Sequence, residues 1–389
     1  MNLNFAERME RLGTETAFEV MARAKALEAQ GREIVHLQIG EPDFPTPKHI
    51  IEAGVEALRA GETHYSPAAG IMPLREAIVE DVDSRRGIRP KVEQVVVTPG
   101  AKPIMFFAIL ALIDSDDEII YPNPGFPIYE SVINFVGGKA VPLPLWEEND
   151  FRFSPEEFRS LVTDRTKLII INSPHNPTGG ILTRQDNEVI AEVAREKEIL
   201  VLSDEVYKNI IYEGEHHSIY SLPGMQERTI LLDGFSKTYA MTGWRLGFGV
   251  MPEELAQKIE RLMINSNSCT ATFSQHAAIQ ALQGPTEEVD AMLEEFRKRR
   301  DIIVAGLNDI PGMSCITPKG AFYAFPNVKK INEGSQELEN YLLNEAGVAV
   351  LSGTAFGKYG DGYLRFSYAN SVENIEKGLE RIKNALKNI

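Results

Sequence analysis

Between residues 95 and 250 short runs of β-branched and apolar residues alternate with stretches of helical spacing, and few folds accommodate that rhythm. Val95-Val96-Val97, Glu118-Ile119-Ile120-Tyr121, Lys167-Leu168-Ile169-Ile170-Ile171, Leu200-Val201-Leu202-Ser203, Thr229-Ile230-Leu231-Leu232 and Leu246-Gly247-Phe248-Gly249-Val250 each have the length and composition of a buried strand. A helical run follows the first of them to Ile113, and Thr183 stands where it can cap a helix continuing through Ala194. Alternation of this kind predicts a large α/β domain. The order of the strands is not contained in the pattern.

The rhythm changes on either side. Residues 16–29 carry the apolar spacing of an amphipathic helix, 34–40 read as a short extended segment, and a helix over 48–60 leads into Thr63-His64-Tyr65-Ser66-Pro67, a polar and aromatic loop suited to a rim. Downstream, Gly284-Pro285 interrupts the strands before a long charged helix over 287–308, which makes this the best boundary. Residues 321–325 and 363–367 read as strands of a smaller α+β domain. The expected organisation is an N-terminal segment 1–45, a large domain 46–284 and a C-terminal small domain 285–389.

Composition removes several function classes. A net charge of −16 over 389 residues argues against a general nucleic-acid surface, which needs clustered positive charge, although it permits a local phosphate pocket. The two cysteines, Cys269 and Cys315, offer neither a disulfide framework nor a CxxC metal site. His64, His175, His216 and His217 lack a ligand framework, so no metal is expected. The first 13 residues have no signal-like apolar core, and the apolar run from Ile104 to Ile113 is too short to span a bilayer. The expectation is a soluble cytoplasmic protein without a membrane partner.

Chemistry concentrates in a few loops. Thr98-Pro99-Gly100-Ala101-Lys102 follows a strand and precedes a helix, so the N–H groups of Gly100, Ala101 and Lys102 can enclose a phosphate. Alone, Gly100 reads more simply as a tight turn. Neither GxxxxGK[ST] nor a suitably placed GxGxxG is present, so the phosphate need not belong to a nucleotide. Arg245 can bring a charge-assisted fork to it and Ser236 a hydroxyl. Lys237, eight residues before Arg245, can form an imine with an aldehyde cofactor held by that phosphate. Asp204, after the 200–203 strand, can face a ring nitrogen; Asn176 and Tyr207 can bond a phenolate oxygen; Phe126 can stack on a ring face.

As an ordered set, Asn176-Pro177-Thr178-Gly179, Asp204-Glu205-Val206-Tyr207 and Ser236-Lys237 followed by Gly243-Trp244-Arg245 resemble the class I/II aminotransferases, fold type I enzymes dependent on pyridoxal 5'-phosphate. The resemblance runs from Gly40-Glu41-Pro42-Asp43-Phe44 to Leu364-Arg365-Phe366. It implies a large three-layer α/β/α domain with a mainly parallel mixed sheet and a smaller α+β domain. It also implies Lys237 as the Schiff-base lysine, Asp204 as the pyridine-nitrogen partner, and Asn176 and Tyr207 as the phenolate partners. Gly100, Ala101, Lys102, Ser236 and Arg245 match the phosphate region. Gly234 stands where many relatives have a hydroxyl, which shifts phosphate contacts toward Ser236 or water.

By the same resemblance Arg365 grips the substrate α-carboxylate, with Gly40 and Asn176 nearby, and Tyr65 reaches the neighbouring site of a homodimer. The implied activity is ping-pong transfer of an amino group between an L-amino acid and a 2-oxo acid such as 2-oxoglutarate, with Lys237 moving the Cα proton. No second arginine is assignable to a side-chain carboxylate, which favours neutral or aromatic donors over strict aspartate specificity, with alanine and aspartate retained; Lys102 remains able to contact an acidic side chain. A pyridoxal phosphate carbon-sulfur lyase, or a noncatalytic sensor that binds the cofactor, is the competing reading.

Overall fold

Strands without polar alternation are stable only where both faces are covered, and the chain covers them. The computed structural model describes residues 3–331 and 334–388. Its central sheet has seven strands in the spatial order Val95–Thr98, Gly247–Val250, Thr229–Gly234, Leu200–Asp204, Thr166–Asn172, Glu118–Asn123, Lys139–Pro144. Gly247–Val250 runs antiparallel to both neighbours and every other pairing is parallel. Leu202, Ile230 and Leu232 bury against Ile104, Ala108, Ile259 and Met263 on one face. Leu231, Val95, Val97 and Phe248 bury against Ile78, Val82, Ala277 and Ala278 on the other. The result is three layers, helices on both sides of a mixed sheet.

The antiparallel strand has a positional effect. Gly247 pairs with both Thr98 and Gly234, so its start lies at the edge where the other two strands end. Arg245, two residues earlier, therefore arrives beside Gly100 and Lys237. A parallel strand would enter at the opposite edge, about 10–13 Å away for a strand of this length.

Three short strands form a second, antiparallel sheet in the order Leu351–Ser352, Leu364–Ser367, Tyr323–Ala324. Helices Glu287–Asn308 and Val372–Ala385 pack beside it through Ile303, Leu307, Ile375, Leu379 and Ile382. The N-terminal part joins this unit: Val35–His36 pairs in parallel with Val348–Ala349, and the Ser367 N–H donates to the Leu37 carbonyl at 2.7 Å. The segment 34–40 is thus extended but regular only at Val35–His36.

Likewise the strand expected over 321–325 shortens to Tyr323–Ala324. Ala321 has φ 55°, and its N–H donates to Ile210 rather than into a ladder. The helix expected over 48–60 is observed as Lys48–Arg59, and that over 183–194 as Arg184–Glu196. Thr183 caps the latter reciprocally, its Oγ1 accepting from the Asp186 N–H while the Asp186 carboxylate accepts from the Thr183 N–H at 2.7 Å. Thr183→Ala is expected to lower unfolding stability by about 1 kcal/mol, read as an earlier denaturant midpoint, with activity unchanged because the cap lies outside the central cavity.

Candidate active site

A cavity of about 380 Å³ opens between the C-terminal edge of the large sheet, the small sheet and the N-terminal segment. That edge is where open α/β sheets place ligands. The sheet and the loops after its strands deliver Ala101, Lys102, Asn176, Asp204, Tyr207, Ser236, Lys237 and Arg245 into it; Arg365 comes from the small sheet and Gly40 from the N-terminal segment. Phe126 lines it as well. Gly100 lies at its margin with φ 90°, and a Cβ there would stand 2.4 Å from an Arg245 nitrogen. Tyr65 is not part of the lining: it is 89% exposed, in a shallow depression with Cys269 and Phe273.

Lys237 sits at the centre. Its Nζ donates to the Gly40 carbonyl at 2.7 Å. Burial pushes its pKa down to about 8, against an upward pull from Glu41 and Glu15. An amine with that pKa is still mainly protonated near physiological pH but keeps an appreciable neutral fraction, far larger than that of an ordinary lysine, and can both attack a carbonyl carbon and carry a proton.

Asp204 closes the strand Leu200–Asp204 at 7% exposure. Burial raises its carboxyl to about 6, although the Tyr129 hydroxyl donates to Oδ2 at 2.6 Å and the Val206 N–H to Oδ1 at 3.3 Å. Above that pH it is an anion with no cationic partner among the described residues, suited to hold a protonated ring nitrogen. The carboxylate next to it behaves differently. Burial also works to raise Glu205, but Arg86 at 2.6 Å and His216 at 2.9 Å hold it far below the usual range. The adjacent acids thereby divide into one neutralised by structure and one left available.

Arg365 is 4% exposed. One terminal nitrogen donates to Asn176 Oδ1 at 3.1 Å and the other to the Gln38 carbonyl, while Nε has no partner among the described residues. Its guanidinium lies over Tyr323 at 4.5 Å and Phe356 at 4.9 Å. A cation held by dipoles and ring faces, with no carboxylate partner among the described residues, is poised for an incoming anion. Asn172 fixes the turn that carries Asn176, its Oδ1 accepting from the Asn176 N–H at 2.9 Å and its Nδ2 donating to the Asp204 carbonyl at 3.0 Å.

At the phosphate end the backbone is crowded. A Cβ on Gly247 would stand 2.3 Å from the Ala101 nitrogen, and one on Gly234 3.3 Å from the Ala101 Cβ. At Gly234 a side chain would thus be tight but not barred, needing Ala101 to give by a few tenths of an ångström. Arg245 is exposed, and its guanidinium donates to the Thr242 carbonyl at 2.8 Å and reaches the Pro99 carbonyl at 3.5 Å, which leaves donors free. Lys102 opens the helix Lys102–Leu112, and its amine pairs with Glu15 at the cavity mouth.

The family described as aminotransferase class I and II matches residues 32–382. The chain belongs to this family. It is 44% identical over 365 residues to an aromatic-amino-acid aminotransferase of Thermococcus litoralis, covering 92% of this chain and 93% of that one. An aspartate aminotransferase of Pyrococcus abyssi is 42% identical over 360 residues, covering 92% of each. The solved aspartate aminotransferase of Thermus thermophilus with maleate superposes with a TM-score of 0.95 at 36% identity, covering 99% of this chain and 100% of that one.

The aminotransferase accordingly has fold type I and acts as a pyridoxal 5'-phosphate-dependent amino-acid transaminase. The residues fit that cofactor. The amine of Lys237 and the carboxylate of Asp204 line one cavity, and the glycine-lined loop at Gly100 lies under the free donors of Arg245. Among the lining residues to which the sequence assigned no role in the site are Tyr129, Tyr323, Glu15 and Phe356. Tyr129 follows Phe126 by three, a spacing that was available as a signal; Tyr323 lies in an apolar run that read as strand.

Two outcomes are expected. Because Lys237 must lose a proton to attack an aldehyde, apoprotein should take up the cofactor about tenfold faster per pH unit up to about pH 8 and at a level rate above it, followed by absorbance of the bound chromophore. Arg365→Lys removes a planar fork and is expected to lower kcat/KM for amino acids by about 10- to 100-fold, the scale of one charged hydrogen bond.

Proposed function

We propose that this aminotransferase accepts neutral or aromatic L-amino acids as donors and a dicarboxylic 2-oxo acid such as 2-oxoglutarate as acceptor. The observation that carries the reading is the ion pair between Lys102 and Glu15 at the cavity mouth. Beside it Phe18, Ile39, Phe126 and Phe356 present apolar surface to a side chain. While Glu15 holds Lys102, the mouth is electrically balanced and favours an uncharged side chain. A distal carboxylate can take the place of Glu15 on the lysine, which serves the second half of a ping-pong exchange. The names of the Thermococcus and Pyrococcus relatives, aromatic and aspartate respectively, support both kinds of substrate.

Each residue then has a task. The cofactor supplies an aldehyde for the amino group and a ring that accepts the electron pair released at Cα. Arg365 binds the α-carboxylate through the nitrogens now turned to Asn176 and Gln38, and its open Nε adds a further donor. Asp204 holds the proton of the ring nitrogen; Tyr207 and Asn176 bond the phenolate oxygen; Phe126 covers one ring face. Gly100, Ala101, Lys102 through its backbone N–H, Ser236 and Arg245 hold the phosphate. Lys237 would take the proton from Cα and return it to the carbon that carried the cofactor's aldehyde.

The exposure of Tyr65 supports a homodimer in which this tyrosine completes the neighbouring phosphate site. Segments 1–45 and 285–389 would move together as a small domain against 46–284, a division supported by the pairing of Val35–His36 with Val348–Ala349. Free thiols at Cys269 and Cys315 support a reducing, cytoplasmic setting. Among the described residues no helix is long and apolar enough to cross a membrane.

Asp204→Asn is expected to lower kcat by about 10²–10³-fold, the scale of losing one charge-stabilising group, with the chromophore still bound. Lys102→Ala should raise KM for 2-oxoglutarate by about 2- to 5-fold, as an ion pair nearly half exposed to water is worth at most about 1 kcal/mol. KM for phenylalanine should stay level. Equal effects on both substrates would remove the assigned role of the pair.

A further inference from the structure

Tyr323 stands where three parts of the chain meet. Its hydroxyl lies 2.7 Å from that of Tyr207, and its ring lies under the Arg365 guanidinium at 4.5 Å. It also fills the space that a side chain at position 40 would need, since a Cβ on Gly40 would stand 2.0 Å from its oxygen. Tyr323 belongs to the small sheet, whereas Tyr207 follows the central strand of the large one. Both side chains are buried, and among the described residues neither hydroxyl has another hydrogen-bond partner.

A phenol has one proton to donate. If Tyr207 donates to Tyr323, no proton remains for the oxygen of the cofactor; if Tyr323 donates to Tyr207, the Tyr207 proton is free to point into the cavity. Burial pushes both phenols up, so both stay protonated at neutral pH, and Arg365 offsets part of that rise at Tyr323. A negatively charged oxygen at the end of such a chain favours both protons pointing toward it, each bond polarising the next.

We propose that Tyr323 is a positioning residue that donates to Tyr207, so that the Tyr207 proton is directed at the phenolate oxygen of the cofactor and lowers that oxygen's affinity for a proton. The inference rests on the assignment of Tyr207 to that oxygen. It places the tuning of the cofactor partly in the small sheet, on the side chain whose ring also supports the carboxylate-binding arginine.

The test is a pH titration of the chromophore's absorbance in holoenzyme carrying Tyr323→Phe, Tyr207→Phe or both. Removing a bond to an anionic oxygen favours the protonated form, so the chromophore pKa rises. Tyr207→Phe is expected to raise it by about 1–2 units, the equivalent of one charged hydrogen bond. Tyr323→Phe, which loses only the polarising donor, is expected to raise it by about 0.2–0.6 unit. The double variant should titrate with Tyr207→Phe alone, since Tyr323 acts through Tyr207.

Tyr323→Phe keeps the ring, so KM for the amino acid should stay within about twofold, as the cation–ring contact is retained. A Tyr323→Phe enzyme that titrates with wild type overturns the proposal, as does a double variant with additive shifts. A raised KM without a spectral shift would mark Tyr323 as packing alone. If Tyr207→Phe also fails to shift the titration, the assignment of Tyr207 falls together with the inference.

Discussion

The structure depends on keeping two opposite charges out of water in one cavity without letting them neutralise each other. An unpaired buried ion costs several kcal/mol, and direct pairing of Asp204 with Arg365 would abolish the use of both. Each instead has a private shell of neutral partners: Asp204 has the Tyr129 hydroxyl and the Val206 N–H, and Arg365 has Asn176, the Gln38 carbonyl and two aromatic faces. Dipoles lower the cost of burial without cancelling the charge. The raised carboxyl of Asp204 is the residue of that cost.

The same constraint explains the polar cluster behind the sheet. Arg86 pairs with Glu205 at 2.6 Å and Lys208 with Asp233, with His216 2.9 Å from Glu205. Their mutual pairing leaves the charge of Asp204 directed into the cavity. Asn172 couples strand to turn, so the sheet that fixes Asp204 also fixes Asn176.

Much of this was legible in the chain. Strand runs such as 200–203 and 229–232 carry their own signal because both faces are apolar, and the residues that bring chemistry stand directly after them. Lys139–Pro144 was not legible: Pro142 and Pro144 speak against a strand, yet the segment lies at the sheet edge, where missing N–H donors are tolerated. Helices Met72–Arg86 and Thr272–Gln283 went unread, being set by packing against the sheet and each other as well as by their own spacing. The pairing of Lys102 with Glu15 spans 87 residues, and no local pattern encodes a contact of that separation. Tyr323 was read as strand, correctly, but its hydroxyl acquires meaning only from Tyr207, which is 116 residues away.

The glycines at the phosphate end and the side chains at the mouth divide the cavity into parts with different histories ahead of them. At Gly247 an added carbon meets the Ala101 backbone well inside contact distance, and at Gly100 the positive φ strains any side chain, so substitution at either carries a structural cost. At the mouth, Glu15, Phe18 and Lys102 line the cavity from its edge, and exchanging them reaches Lys237 through charge alone. Duplicated copies of such a chain can therefore diverge in diet while the chemistry is inherited intact.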